Sequence, residues 1–454
     1  MAIQTKGSVS LWLTTQDRSS LFAQQPAPLA FTKSDQSTSQ LPTIDVDDKA
    51  KFQSIDGFGF ALTGGSAQLM MRMDPQHRAD LIKELFGTEG KAIGVSYLRV
   101  SIGSSDLNDH VFTYDDIPAG RQDPDLAHFD LGPDRTEVIP VLKEILAINP
   151  KIKILASPWS PPSWMKTNGD PKGGSLKPED YGVYAYYLVK YLQAMQAAGI
   201  HIDAITIQNE PLNPKNTPSM VVTALEENAF IKQAFGPQLR KSGLKTRIIL
   251  YDHNCDVPEY ATAILADPET AKYVDGSGFH LYGGNISAMT KVHDADPKKN
   301  LYFTEQMITD RKGDAALRVA APEKRVIVGP MTNWSRNVLL WNLAADPQFN
   351  PHTSNGGCGV CEGAITIDND IVTRNLAYYT LAHASKFVRP GSIRIQSQAS
   401  LPDALANVAF KAPGDKTVLI VANTSSAPQS FNIRYHGKTA ESSLPAGAVG
   451  TYIW

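Results

Sequence analysis

With 454 residues, 42% of them hydrophobic and 20% charged, the chain is long enough for a large globular domain and a smaller one. The 43 basic and 46 acidic side chains leave a formal charge of −3, which excludes the basic field of a nucleic-acid binder or of a protein held on an anionic membrane. Three cysteines exclude a disulfide scaffold, and no apolar run reaches the length needed to cross a bilayer, so no stable membrane insertion is expected.

The start, MAIQTKGSVS, lacks the pattern of a signal peptide, so either the chain is cytosolic or a leader precedes it and is cleaved. SVSLWLTT (8–15) alternates like a half-buried strand, and the polar stretch around SDQSTSQLP (34–42) reads as a loop. From about residue 52, strand-like runs alternate with helix-like segments. The runs are SIDGFGFAL (54–62), VSYLRVSI (95–102), KILASPW (153–159), AITIQNE (204–210), RIILYDHN (247–254), GSGFHLY (276–282), LYFTEQ (301–306) and NVLLWNLA (337–344). Between them, DPQHRADLIKELFG and YGVYAYYLVKYLQAMQAAG space their apolar residues for helices, and Gly199 supplies a stop.

Eight such repeats predict an α/β fold, a (β/α)8 TIM barrel. An open doubly wound sheet is the second reading, but no G-x-G-x-x-G opens a helix as that fold's phosphate loop requires. After YYTLAHASKFVRPG (378–391), short alternating strands divided by turns such as Pro413-Gly414-Asp415 predict a small β-sandwich. The N-terminal strand is expected to join it. The expected division is an N-terminal segment over 1–50 contributing to the sandwich, a catalytic barrel over 51–385, and the β-sandwich over 386–454.

Barrel enzymes place their reacting groups at the C-terminal ends of the strands. Those ends carry Arg99 to Asp106, Trp159, Asn209-Glu210, Asp252-His253-Asn254, His280 to Tyr282, Glu305-Gln306 and Trp341-Asn342. Glu210 ends the fourth run and Glu305 the seventh. Two carboxyls facing each other across a barrel mouth are what glycoside hydrolysis uses: one protonates the leaving oxygen, the other attacks the anomeric carbon or activates water. Like charge and partial burial should hold one carboxyl's pKa up, as the acid role requires. Either Glu alone reads equally well as a salt bridge or cap; the pair favours chemistry. Asn209 is placed to bind a sugar 2-hydroxyl, its alternative being a turn residue before Pro211.

ASPWSPPSWMKTNG (156–169) is a rigid loop displaying Trp159 and Trp164; Trp159 suits sugar stacking, with core filling as the alternative. Asp252, His253 and His280 lie on separate strands without a metal-binding spacing, so hydrogen bonds to substrate or to the Glu pair are the better reading and no metal is expected. Two-carboxylate chemistry needs no cofactor. No G-x-S-x-G elbow supports a serine hydrolase. Cys358 and Cys361 form a single C-x-x-C, either a local disulfide or two free thiols.

The stretches GFGFALTGGSA, LRVSIGSSDLNDHVFTYDD, ILASPWSPPSWMKTNG, ITIQNEP, DPETAKYVDGSGFHLY, FTEQM, WNLAADP and YYTLAHASKFVRPGS occur in this order over residues 57 to 392. Together they resemble glycoside hydrolase family 30, which includes glucosylceramidases and β-1,6-glucanases. The resemblance implies a barrel fused to a sandwich built from both termini, and retention through a glycosyl-enzyme intermediate, with the carboxyl groups about 5–5.5 Å apart. By position it implies Glu210 as acid/base, Glu305 as nucleophile and Asn209 as the 2-hydroxyl partner. Asp106, Trp159 and Trp341 would bind the innermost glucose, and Arg99, His280 and Tyr282 would line the site and orient the nucleophile. Two departures from the glucosylceramidases are Met307 where they carry Cys, and Val338-Leu339-Leu340 where they carry Trp-Thr-Asp.

The reading is a retaining β-glucoside hydrolase with a β-1,6-glucan as preferred substrate. Glucosylceramidase or exo-acting β-glucosidase or β-xylosidase activity is the alternative, and a carbohydrate-binding barrel without catalysis or a metal-dependent barrel hydrolase a more distant one. Polymers are met outside the cytoplasm, so a secreted or periplasmic location is expected.

Overall fold

Eight parallel strands close on themselves in chain order in the computed structural model, which describes residues 8–33, 40–310 and 316–454. They are β1 (Gly57–Ala61), β2 (Tyr97–Ile102), β3 (Lys153–Pro158), β4 (Ala204–Thr206), β5 (Arg247–Cys255), β6 (Val274–Gly284), β7 (Asn300–Glu305) and β8 (Ser335–Leu340). Most are buried on both faces, as a strand must be when side chains fill the barrel and helices cover it, and so they read as apolar runs. The predicted helices appear as Pro75–Phe86 and Tyr181–Ala197. Asp74 caps the first, accepting from the N–H groups of Gln76 and His77, with Pro75 at its first position.

A layer of Tyr97, Leu155, Ala204, Ile249, Tyr302 and Leu339 fills the barrel interior. Strand side chains alternate with period two, so the next inward positions on four of these strands are Arg99, Ser157, Thr206 and Trp341. The floor of the site is therefore set by the strand period. Gly64 and Gly65 of the GFGFALTGGSA stretch let the chain that carries Asp106 pack closely: a Cβ on Gly64 would stand 1.9 Å from Asn108 Nδ2, and one on Gly65 2.6 Å from the Leu107 carbonyl oxygen.

The second domain is one 11-stranded sheet that curls around its own apolar core, which includes Val9, Ile44, Ile395, Leu419 and Phe431. Both chain ends build it: Ser8–Thr14 pairs antiparallel with Val449–Ile453, and Thr43–Ser54 pairs with Ile393–Ala399 and Gln429–Tyr435. The start of the chain (1–7) and the greater part of the polar stretch 34–42 lie outside the described residues.

Four features differ from the sequence expectation. Thr43–Ser54 is a 12-residue strand although it is rich in charge; Ile44 and Val46 point inward while the intervening polar residues face out. Lys438–Leu444 is a further sandwich strand, and Ile365–Asp368 with Ile371–Arg374 forms a hairpin beyond β8. The fourth strand is shorter than AITIQNE, ending at Thr206, and Glu210 adopts φ 46° just before Pro211.

Candidate active site

Although β4 ends at Thr206, its continuation stays tied to both neighbouring strands. The Asn209 N–H donates to the Pro158 carbonyl (2.8 Å) and the Glu210 N–H to the Asp252 carbonyl (3.0 Å). A left-handed residue fixed by such a bond delivers its carboxylate to the barrel mouth at a cost in backbone energy of about 1–3 kcal/mol.

Strand β5 carries a second irregularity. Tyr251 and Asp252 sit at φ 73° and 58°, at a register shift against β6. Inward Ile249 would make Tyr251 the next inward residue. The bulge reverses that parity: Tyr251 packs outward on Tyr260 and Phe279, and Asp252 turns into the barrel.

There Asp252 joins a fully buried network. Arg99 donates from Nη2 to Asp252 Oδ2 (2.8 Å) and Asn209 Oδ1 (2.7 Å), from Nη1 to Glu305 Oε2 (2.5 Å), and from Nε to Ser157 Oγ (3.2 Å). Thr206 and Ser157 hydroxyls donate to the same Asp252 oxygen at 2.8 and 3.1 Å. Trp159 and Trp341 stack at 5.5 Å beside the guanidinium, which lies 4.9 Å from the Trp159 ring.

His280 links the two candidate glutamates. Its Nε2 is 3.1 Å from Asp252 Oδ1, and its Nδ1 is 3.2 Å from Glu210 Oε1 and 3.8 Å from Glu305 Oε1. Glu210 Oε2 accepts from Asn213 Nδ2 (2.7 Å), and Glu305 Oε1 accepts from the Tyr282 hydroxyl (3.0 Å). That hydroxyl in turn accepts from the Met307 N–H at 3.0 Å. A carboxylate oxygen of each glutamate and a ring nitrogen of His280 all lie within 4.8 Å of one another.

Burial alone would discharge these groups, and their mutual pairing decides which stay charged. Burial lowers His280, but Glu305, Asp252 and Glu210 together push it up to about 9. Burial raises Glu210, yet His280, His253 and Asn213 hold it down at about 2. Asp252, despite burial, is held well below the usual carboxylate range by Arg99 and His280. Glu305 is raised by burial, which His280 and Arg99 offset only in part. The carboxyl with the raised pKa is thus Glu305 and not Glu210, against the sequence expectation for an acid at position 210. The proton sits on the imidazole beside Glu210, which the sequence order does not reveal. With its ring between the two carboxyls, His280 makes Glu210, His280 and Glu305 a proton-sharing set.

All nine candidate residues converge on this mouth: Arg99, Asp106, Trp159, Asn209, Glu210, His280, Tyr282, Glu305 and Trp341. A cleft of about 520 Å³ opens over them, lined also by Asn213, His253, Met307, Cys358 and Cys361. Asp106 faces the pair, its carboxyl pushed up to about 8 by burial and by the charges of Glu305 and Glu210. Trp159 is 2% exposed, so it lines the cleft with little of the open stacking face expected of it, and its buried Nε1 has no hydrogen-bond partner among the described residues. Tyr282 is 42% exposed and presents its ring there. Trp164 turns away and donates to Asp115 Oδ2 (2.9 Å). Cys358 and Cys361 form a disulfide on the cleft wall, resolving the C-x-x-C alternatives. Asp252, read from the sequence as a hydrogen-bonding residue near the Glu pair, is instead tied to Arg99 and His280, which hold the pair; Asn213 was left out, although it stands three places after Glu210 in NEPLN, a spacing that could have identified it.

Comparison with known proteins agrees with this fold. The description "Glycosyl hydrolase family 30 TIM-barrel domain" matches residues 55–388, and "Glycosyl hydrolase family 30 beta sandwich domain" matches 391–452. The chain is 35% identical to endo-1,6-beta-D-glucanase neg1 of Aspergillus fumigatus over 88% of this chain and 84% of that one. It is 29% identical to the lysosomal acid glucosylceramidase of Mus musculus over 89% of this chain and 82% of that one. Among solved structures it is similar to the endo-beta1,6-glucanase BT3312, with a TM-score of 0.90, 31% identity and 99% of both chains covered. A barrel and a sandwich matched in register, with a carbohydrate-cleaving constellation at the barrel mouth, place this chain in glycosyl hydrolase family 30.

Proposed function

We propose that this glycoside hydrolase is a retaining β-1,6-glucanase in which Glu305 is the nucleophile and Glu210 the acid/base. The observation that carries the mechanism is the approach of one oxygen of each carboxylate to within 4.8 Å across His280, which leaves little room for a water between them. Retaining enzymes hold the pair about 5–5.5 Å apart, whereas inverting ones need about 6.5–9.5 Å to admit water between carboxylate and sugar. The linkage preference is supported by the β-1,6-glucan-cleaving relatives at 35% and 31% identity.

The roles follow from the contacts. Glu305, ionised, is aimed by Arg99 and the Tyr282 hydroxyl and attacks the anomeric carbon. One proton is shared between His280 Nδ1 and Glu210 Oε1; on Glu210 it passes to the leaving oxygen as the glycosidic bond breaks. His280 keeps its Nε2 proton on Asp252 throughout. In the second step Glu210 takes a proton from water, which releases the sugar from Glu305 with its configuration retained. Asn209, held by Arg99, binds the 2-hydroxyl. Trp159, Asp106 and Trp341 surround the innermost glucose.

The departures from the glucosylceramidases fall where they leave this subsite intact. Val338, Leu339 and Leu340 are buried in the barrel wall, and Met307 packs on the cluster of Trp341 and the disulfide. Action outside the cytoplasm is supported by the polymeric substrate and by the disulfide. Among the described residues no helix is long and apolar enough to cross a membrane.

The test is product analysis on a linear β-1,6-glucan beside an aryl β-glucoside and glucosylceramide. A ladder of β-1,6 oligosaccharides with the β-anomer formed first supports an endo-acting β-1,6-glucanase. Glucose alone would make the enzyme exo-acting, and activity confined to the aryl glucoside or the lipid would overturn the substrate assignment.

A further inference from the structure

Away from the catalytic mouth, the loop that follows β2 buries two carboxylates, of which Asp115 has little to balance it. Asp115 is 1% exposed and Asp123 6% exposed. Asp115 Oδ2 accepts from Trp164 Nε1 at 2.9 Å, but Asp115 Oδ1 has no hydrogen-bond partner among the described residues. Asp123 Oδ2 accepts from the His128 N–H (2.8 Å) and lies 2.8 Å from His128 Nδ1. Among the described residues, no lysine or arginine forms an ion pair with either carboxylate. A buried carboxylate that lacks a cation must bind a proton or a metal.

We propose that Asp115, Asp123 and His128 bind one divalent cation. Each offers a ligand atom, and the three atoms lie within 4.8 Å of one another, the spacing of donors around a single ion. The orphaned Asp115 Oδ1 is the oxygen the ion would satisfy. Two carboxylates and an imidazole favour an ion of the Mn²⁺ or Zn²⁺ kind over Ca²⁺, which prefers oxygen donors throughout. The His128 side chain is 71% exposed, so the ion has a route in from solvent.

The ion's role is to brace. Asp115 follows Asp106 on one loop, and its bond to Trp164 reaches the loop that carries Trp159. A cation here would pin together the two loops that wall the glucose subsite, without touching the reacting atoms.

The experiment uses the whole chain, treated with chelator, dialysed, and melted with about 1 mM Mn²⁺, Zn²⁺ or Ca²⁺ added singly. An ion that saturates the site should raise Tm by about 2–4 °C, by mass action on the folded state. Elemental analysis of the gel-filtered protein should find close to one ion per chain. The shift should vanish in Asp115→Asn and Asp123→Asn, and should shrink in His128→Ala, a surface change that leaves folding intact. If no ion moves Tm, the proposal fails; a pair that shares a proton would instead gain Tm on acidification and ignore metals. An equal shift in the wild type and all three variants would locate binding elsewhere and also overturn it.

Discussion

His280 Nδ1 lies 3.2 Å from Glu210 Oε1, while its Nε2 is held 3.1 Å from Asp252. The imidazole therefore keeps a proton next to the acid and a positive charge between two glutamates. Activity requires Glu305 ionised and one proton on the His280–Glu210 pair. As pH falls, Glu305 protonates with a pKa raised above its ordinary 4.5, which sets the acid limb. As pH rises through about 9, the pair loses its proton, which sets the alkaline limb. In His280→Gln both carboxyls lose a neighbouring cation and both rise. The acid limb should move up, and the alkaline limb, now set by Glu210 alone, should move down by more than about one pH unit. The profile of kcat/KM on a β-1,6-linked oligosaccharide should narrow from both sides; an alkaline limb that stays in place would remove His280 from the proton path.

The two glutamates separate by leaving group. Glu210→Ala should lower kcat/KM on β-1,6-glucan by about 10²–10⁴, the usual worth of general acid catalysis. On a dinitrophenyl β-glucoside, whose leaving group needs no proton, formation of the glycosyl-enzyme should be nearly unchanged. Glu305→Gln should abolish turnover on both substrates, and azide added to Glu305→Ala should return some activity with an α-glycosyl azide as product. Equal losses on both substrates in Glu210→Ala would sink the acid assignment.

Asp252 is the residue on which Arg99, His280, Ser157 and Thr206 all converge, and it is fully buried. Removing one partner of a buried ion pair leaves the other charge uncompensated and costs about 3–5 kcal/mol. Asp252→Ala should lose that much stability in urea unfolding of the barrel, and Asp252→Asn should lose less, since it keeps one acceptor. Both should lower kcat more than they raise KM, because Arg99 and His280 lose their aim. A stability loss under about 1 kcal/mol for Asp252→Ala would show that the network tolerates the vacancy.

Asp252 also marks the limit of what is legible in the sequence. Apolar runs located the eight strands, and strict alternation along them places Arg99, Ser157, Thr206 and Trp341 on the inward face. The bulge at Tyr251–Asp252 breaks that alternation, and no residue type in YDHN announces it. The opposite failure occurs at Thr43–Ser54: its alternation is present, but its charges hid a strand whose outer face is simply in water. Glu210 and Glu305 were visible because each ends an apolar run. Their protonation was not, because it depends on an imidazole 70 residues further along the chain from Glu210.

The disulfide Cys358–Cys361 forms part of the cleft wall, packed with Leu107, Trp159, Trp341 and Met307. The loop that carries it is tied down upstream, where the Thr353 N–H donates to the Asp106 carbonyl (2.9 Å) and the Thr353 hydroxyl to the Thr217 carbonyl (2.6 Å). It stands beside the innermost subsite, where the remainder of a polymer must leave the glucose pocket. A wall left unlinked would have to lose mobility when the polymer binds, a cost that the bridge removes beforehand. Replacing both cysteines by serine should therefore lower kcat/KM on β-1,6-glucan by about tenfold or more, while an aryl β-glucoside, which reaches little beyond the pocket, should change less than about twofold. Parallel losses on the two substrates would mean that the bridge supports the catalytic floor and not the polymer-binding wall.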